Sequence, residues 1–313
     1  MSEDRRRIEA ALVAAVDTKD PYLNELARHL IDAGGKRIRP VLAVCAAQIA
    51  GGPVSDAAVQ GGISCELVQT GSLYHDDVID ESSTRRGVET VNAKWGNLQA
   101  ILAGDFLLAR ASEIAASLGA EVAGLLGNTI ARLCEGEIEQ LRHTYDASRA
   151  EDSYFSSIAG KTASLFSTAA RIGGIVSGLD RPVIDALTAY GRAYGMVFQI
   201  VDDILDITAT DDQLGKPAGH DMVEGVYTLP VLHTLAASGV AADELGDLLG
   251  GPLDPVVRDK ALSIVRAGDG VRYAIDAAGR YVQAGVDACV LLPAGPVRDA
   301  LAAAPQALLD TVA

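Results

Sequence analysis

Apolar positions recur along most of this chain at three- and four-residue spacing. Ile8, Leu12 and Val16 form one stripe, and Leu23, Leu26 and Leu30 a second. Ile63, Leu67, Thr70 and Tyr74 form a third, and Val197, Ile200, Val201, Ile204 and Leu205 a fourth. This is the period of a helix with one buried face. Sustained alternation of β-branched residues is not found, so no extended sheet is expected. Helix starts are marked by Ser55-Asp56, by Asp180 before Arg181-Pro182, and by Asp254-Pro255. Helix ends are read at Gly34-Gly35, Gly51-Gly52, Gly173-Gly174 and Gly250-Gly251. The pattern predicts an all-α chain, with no linker to divide residues 1–313. The longest irregular stretch is 208–230, rich in Asp, Gly and Pro. A loop of that length inside a compact domain is commonly functional. Residues 143–152 read as a plain connection.

Composition narrows the function. The 313 residues are 49% hydrophobic and only 4% aromatic, which excludes wholesale disorder. A net charge of −16 excludes broad nucleic-acid binding, although a local basic pocket remains compatible. The four cysteines form no CxxC pair, so they read as buried small hydrophobes in a reducing cytosol rather than zinc ligands. Glu9 interrupts the apolar run behind Arg5-Arg6-Arg7, which argues for an amphipathic helix and against a signal peptide. No charge-free run reaches the roughly 20 residues that span a bilayer. A soluble cytoplasmic protein without membrane insertion is expected.

Two acidic clusters break the apolar pattern. The first is His75-Asp76-Asp77-Val78-Ile79-Asp80, and the second Val201-Asp202-Asp203-Ile204-Leu205-Asp206. Both read DDxxD behind an apolar helical run. Asp76 and Asp80 share a helix face, as do Asp202 and Asp206. Like charges at this spacing cost about a few tenths of a kcal/mol, and Asp is a poor interior helix former. A compensating cation is implied. Carboxylate oxygens are hard ligands, which points to Mg²⁺ with phosphate oxygens completing its shell.

Cations lie close to these motifs in sequence: Lys36, Arg37 and Arg39 upstream, Arg85 and Arg86 just after the first cluster, Lys161 between the clusters, and Lys216 after the second. Arginine suits bidentate phosphate contact and lysine acts as a point charge. Carboxylate, metal, phosphate and guanidinium together are the parts needed to stabilise a diphosphate leaving group.

With these residues in view, the sequence resembles the trans-type isoprenyl diphosphate synthases, or polyprenyl synthetases. The matching segments are GGKRIRP (34–40), ELVQTGSLYHDDVIDESSTRRG (66–87), GNLQAILAGDFLLARA (96–111), GEIEQL (136–141), GKTASLF (160–166), FQIVDDILDI (198–207) and GKPAGHDMVEGVYTLP (215–230). The resemblance implies one all-α helical-bundle domain with a central cavity, acting as a homodimer. It implies condensation of isopentenyl diphosphate head-to-tail onto an allylic diphosphate. Asp76, Asp80 and Asp202 would hold Mg²⁺, with Asp77, Asp203 and Asp206 as further or water-mediated ligands. Arg85, Lys161 and Lys216 would contact the allylic diphosphate. Lys36, Arg37 and Arg86 would bind the diphosphate of isopentenyl diphosphate, with Arg39 beside them. Thr162 and Gln199 would lie close to the reacting carbons and stabilise positive charge. His75 is expected to pack and orient the first motif. Where many relatives carry a lysine, this chain has Val226, which predicts weaker allylic-diphosphate binding or altered loop closure.

Gly71 and Ser72 stand about one helical turn before Asp76. Short-chain relatives tend to place a bulky aromatic here, so two small residues favour a medium- or long-chain product; geranylgeranyl or farnesyl diphosphate is the alternative. Tyr74 should point elsewhere on the helix. A class I terpene cyclase would normally replace the second DDxxD with a different metal motif. A non-catalytic partner subunit would lack motif aspartates, and none is missing here.

Overall fold

The structure, a computed structural model, describes residues 2–210 and 217–313. In chain order its helices are α1 (Ser2–Ala15), α2 (Pro21–Asp32), α3 (Ile38–Gln48), α4 (Asp56–Ile79), α5 (Val91–Trp95), α6 (Asn97–Ser117), α7 (Ala120–Arg142), α8 (Glu151–Ile158), α9 (Ser164–Val176), α10 (Arg181–Thr208), α11 (His220–Val223), α12 (Leu229–Ala236), α13 (Val240–Leu248), α14 (Pro255–Ala267), α15 (Gly270–Cys289) and α16 (Pro296–Leu309). A hairpin of β1 (Thr84–Arg85) and β2 (Val88–Glu89) follows α4, and a π turn (Ala159–Ala163) joins α8 to α9. The all-α expectation is met.

The chain forms two compact units. The first comprises Met1–Ala131, Leu165–Gly191 and Leu291–Arg298; the second comprises Arg132–Ser164, Arg192–Val290 and Asp299–Ala313. In the first unit α4 is the central element. Ser55 caps it, its side chain accepting from the Ala58 N–H at 3.2 Å. Ile63, Leu67, Thr70 and Tyr74 are all fully buried, as their spacing requires. Burying each Leu or Ile of such a stripe stabilises by about 1.5–3 kcal/mol. Ile8, Leu12 and Val16 of the N-terminal stripe are buried too.

Two readings of this unit change. Gly173-Gly174 does not end a helix but lies inside α9. A Cβ on Gly173 would collide with the Ala43 carbonyl oxygen, so the glycine is there to let α9 approach α3. The hairpin was not foreseen, because two-residue strands are too short to show alternation. Arg86 (φ 54°) and Gly87 (φ 77°) form its two-residue turn, the left-handed geometry such hairpins need.

The second unit is built around the C-terminal half of α10. Val197, Ile200, Val201 and Ile204 are buried with Tyr227, Leu229, Leu262 and Val265. Asp254 caps α14, accepting from the N–H groups of Val256 and Val257. The connection 143–152 is more than a spacer. Arg149 within it is buried and donates to Ser157 Oγ at 2.6 Å. The cysteines also depart from expectation. Cys65 and Cys289 are buried and Cys45 half-buried, but Cys134 is exposed on α7. It shares that outward face with Ile138 and Leu141, which lie four and seven positions on.

Candidate active site

The first aspartate motif closes α4. Asp76 is half-buried and Asp80, the C-cap, is exposed. Asp77 is buried at 1% exposure and accepts a short hydrogen bond from Arg85 Nε. Its other oxygen, Oδ2, has no hydrogen-bond partner. Burial pushes the Asp77 carboxyl above the usual range, and Arg85 pulls it back. The loop behind the motif is tied down by Asn92 Nδ2, which donates to the carbonyls of Asp77 (2.9 Å) and Ser82 (3.0 Å). The hairpin thus exists to carry Arg85 and Arg86 back to the end of α4. Tyr74 points the other way, as expected, its hydroxyl donating to the Leu26 carbonyl of α2 at 2.7 Å. His75 Nε2 lies 3.2 Å from the Ile101 carbonyl of α6. It packs there in the space that the absent side chain of Gly104 leaves.

The cations of GGKRIRP separate into different environments. Lys36 is exposed. Arg37, expected at a diphosphate, is instead inside the protein. Its side chain pairs with Glu9 (3.1 Å) and Glu66 (3.3 Å), and Nη2 donates to the Ile31 carbonyl at 2.7 Å. Arg86 donates through Nη1 to the carbonyls of Leu30 and Gly34, each at 2.6 Å. Both arginines therefore donate to carbonyls at the C-terminal end of α2 (Leu30, Ile31) and just beyond it (Gly34), where the helix leaves backbone acceptors open to side-chain donors. Arg39 lies 4.4 Å over the Phe166 ring, with a buried Nε that has no partner. Burial lowers the pKa of Arg39 and of Arg86.

The second motif sits near the end of α10. Asp202 is exposed. Asp203, 3% exposed, accepts from Tyr154 Oη at 2.5 Å and from Gln199 Nε2 at 2.8 Å. Burial pushes its carboxyl up to about 7, against the opposing pull of those two donors. Asp206 is buried and accepts from the backbone N–H groups of His220 (3.2 Å) and Asp221 (3.3 Å), fixing the start of α11. Expected among the metal ligands, Asp203 and Asp206 thus face protein partners.

Lys161 and Thr162 stand in the π turn, a local distortion of the helix frequent at functional sites. Gly136 of α7 permits this. A Cβ there would meet the Ser157 carbonyl at 2.7 Å and collide with the Lys161 amide. Lys161 Nζ pairs with Glu137 at 2.6 Å, and Thr162 Oγ1 donates to Gln199 Oε1 at 2.7 Å. Lys216 lies outside the described residues. Val226 is half-buried, its amide donating to the Asp221 carbonyl at 2.7 Å. Gly71 faces α6 rather than open space, while Ser72 is half-buried and donates to the Gln69 carbonyl at 3.0 Å.

Sequence reasoning missed Tyr154, Glu66 and Glu137. Glu137 lies in the GEIEQL segment, where its neighbourhood was visible but its partner was not. Glu66 carried one signal, a charge inside an otherwise apolar stripe. Tyr154 carried none, since its partner lies far along the chain.

Comparison with known proteins agrees with the geometry. The polyprenyl synthetase family matches residues 20–262. Nonaprenyl diphosphate synthase of Mycobacterium tuberculosis is 40% identical over 299 residues, covering 95% of this chain and 89% of that protein. The crystal structure of heptaprenyl diphosphate synthase from Staphylococcus aureus superposes with a TM-score of 0.93 at 30% identity, covering 99% of this chain and 98% of that one. Polyprenyl synthase from Caulobacter crescentus, solved with calcium and isoprenyl diphosphate, gives a TM-score of 0.94 at 32% identity, covering 100% of this chain and 96% of that one. The chain belongs to the polyprenyl synthetase family.

Proposed function

We propose that the protein is a Mg²⁺-dependent trans-polyprenyl diphosphate synthase that extends an allylic diphosphate with isopentenyl diphosphate, head to tail, to a medium- or long-chain product. One observation carries this reading. The six motif aspartates divide into Asp76, Asp80 and Asp202, which reach solvent, and Asp77, Asp203 and Asp206, which are buried on protein partners. The solvent-facing carboxylates of each motif are hard oxygen donors, the kind Mg²⁺ takes one or two at a time together with water and phosphate oxygens. The calcium bound by the Caulobacter relative supports a divalent ion. Relatives that make nonaprenyl and heptaprenyl diphosphates support the longer product.

Bound Mg²⁺ supplies charge neutralisation for the departing diphosphate. Asp76 and Asp80 of the first motif, and Asp202 of the second, would each offer it carboxylate oxygens. Arg85, anchored by Asp77, contacts the allylic diphosphate together with Lys161 and Lys216. Exposed Lys36 would take the diphosphate of isopentenyl diphosphate, with Arg39 beside it. Arg37 and Arg86 shape that site through the end of α2. Thr162 and Gln199 stabilise the allylic cation, and the departing diphosphate accepts the proton lost at the end of the step.

A homodimer working as one domain over residues 1–313 completes the reading. Leu98 and Leu102 of α6, 74% and 65% exposed, support a face covered by a second copy. No helix among the described residues is long and apolar enough to cross a membrane, in keeping with a cytoplasmic enzyme. The test is diphosphate release from isopentenyl diphosphate plus farnesyl or geranylgeranyl diphosphate. Release should need Mg²⁺, stop on chelation, and fall at least about 100-fold in Asp202→Ala. No release with any allylic primer would contradict the proposal.

A further inference from the structure

We propose that Tyr154 and Asp203 fix the direction of a hydrogen-bond chain that keeps the lone pairs of Thr162 available to the reacting carbons. The inference rests on the synthase reading above. The chain has three links: Tyr154 Oη to Asp203 Oδ2 at 2.5 Å, Gln199 Nε2 to Asp203 Oδ1 at 2.8 Å, and Thr162 Oγ1 to Gln199 Oε1 at 2.7 Å. Tyr154, Asp203 and Thr162 are 1%, 3% and 7% exposed and Gln199 is half-buried, so the bond between Tyr154 and Asp203 is shielded from water and the two through Gln199 are partly so.

The sense of the chain follows from what each group can do. In its ionised form Asp203 only accepts. Asp203 therefore takes the hydroxyl proton of Tyr154 and the amide N–H of Gln199. With its nitrogen committed, Gln199 offers Thr162 an oxygen. Thr162 has one hydroxyl proton and spends it there, which leaves its lone pairs. An electron-rich oxygen suits developing positive charge, whereas an outward O–H dipole would oppose it. Asp203 and Gln199 sit four residues apart on one face of α10, while Tyr154 comes from α8 and Thr162 from the π turn. Asp203 is thereby a positioning residue, as is Tyr154 behind it.

Three variants test this: Tyr154→Phe, Asp203→Asn, and the double variant Gln199→Glu with Asp203→Asn. The first removes the outer donor. The second presents Gln199 with an amide that can donate, allowing the chain to reverse. The double variant moves the charge by one link. Its amide at position 203 donates to the carboxylate now at position 199, and that carboxylate again accepts the Thr162 proton. Both single variants should lose about 10- to 100-fold in kcat, with KM for both substrates and half-saturation by Mg²⁺ within about threefold of wild type. The double variant should regain at least about tenfold over Asp203→Asn. A purely structural role predicts no such rescue, since two changes in one network normally compound. A double variant no faster than Asp203→Asn overturns the inference. So does a raised Mg²⁺ requirement in Asp203→Asn, which would make Asp203 a metal ligand. Wild-type protein that fails to elongate any primer overturns the synthase reading itself; active wild type without the rescue overturns the chain alone.

Discussion

Gly71 of α4 lies against Gly104 of α6, so that a Cβ added to Gly71 would stand 3.0 Å from the Gly104 carbonyl oxygen and 3.4 Å from Leu107 Cβ. Two glycines face each other where the helices cross. Gly71 thus sets the spacing of α4 and α6 and does not line an open floor, as its position in the sequence had suggested. Its replacement by Phe would force the helices apart, at a cost of about 3 kcal/mol or more. Gly71→Phe should therefore lower the unfolding midpoint by several degrees, with activity lost rather than redirected. Ser72, half-buried one position on, is the better probe of product length. Ser72→Phe should keep the midpoint within a few degrees and shorten the product. Unfolding scans beside product masses check both, and a stable Gly71→Phe enzyme making shorter chains would restore the original assignment.

Arg37 and Lys36 are neighbours with opposite expected behaviour. Removing Arg37 leaves Glu66 buried without its partner, a change that costs about 3–5 kcal/mol. Arg37→Ala should mainly destabilise. Lys36→Ala should leave stability within about 0.5 kcal/mol and raise KM for isopentenyl diphosphate. Denaturant melts with paired KM values separate the two cases. Equal stability in both variants would show that the Arg37 pairing contributes nothing.

The raised carboxyl of Asp203 makes metal-free stability depend on pH. Its folded pKa, about 7, lies above the unfolded value of roughly 3.9. The folded state holds the proton more tightly, so this contribution is complete below pH ~4 and is lost as pH rises toward 7. In chelator, wild type should lose stability between pH ~4 and ~7, and Asp203→Asn should lose less. Parallel slopes for the two proteins would disprove the effect.

Val226 occupies a position where a lysine would add a cation. Val226→Lys should lower KM for the allylic substrate by up to about fivefold, the range of one solvent-exposed charge contact. Titration with geranylgeranyl diphosphate measures it, and an unchanged KM would remove this position from allylic-diphosphate binding.

Helix faces were legible in the sequence because burial follows a short local period. The stripe from Ile63 to Tyr74 is buried at every named position, and the caps at Ser55 and Asp254 stand where their side chains predict. The aspartate motifs were legible for the same local reason. What did not show was which way a charge turns. Arg37 and Arg39 look alike as letters, yet one pairs with Glu9 and Glu66 while the other lies over Phe166. Asp202 and Asp203 are adjacent, and only the fold reveals that Tyr154 claims the second. Gly173-Gly174 misled because glycine serves both helix ends and close helix crossings, and sequence alone does not separate the two.

Purified protein should be incubated with Mg²⁺, isopentenyl diphosphate and, in separate tubes, dimethylallyl, geranyl, farnesyl and geranylgeranyl diphosphates, with products resolved by mass. A ladder of linear products in five-carbon steps, ending beyond geranylgeranyl diphosphate, is the predicted result. Cyclic hydrocarbon, or no elongation with any of the four primers, would contradict it.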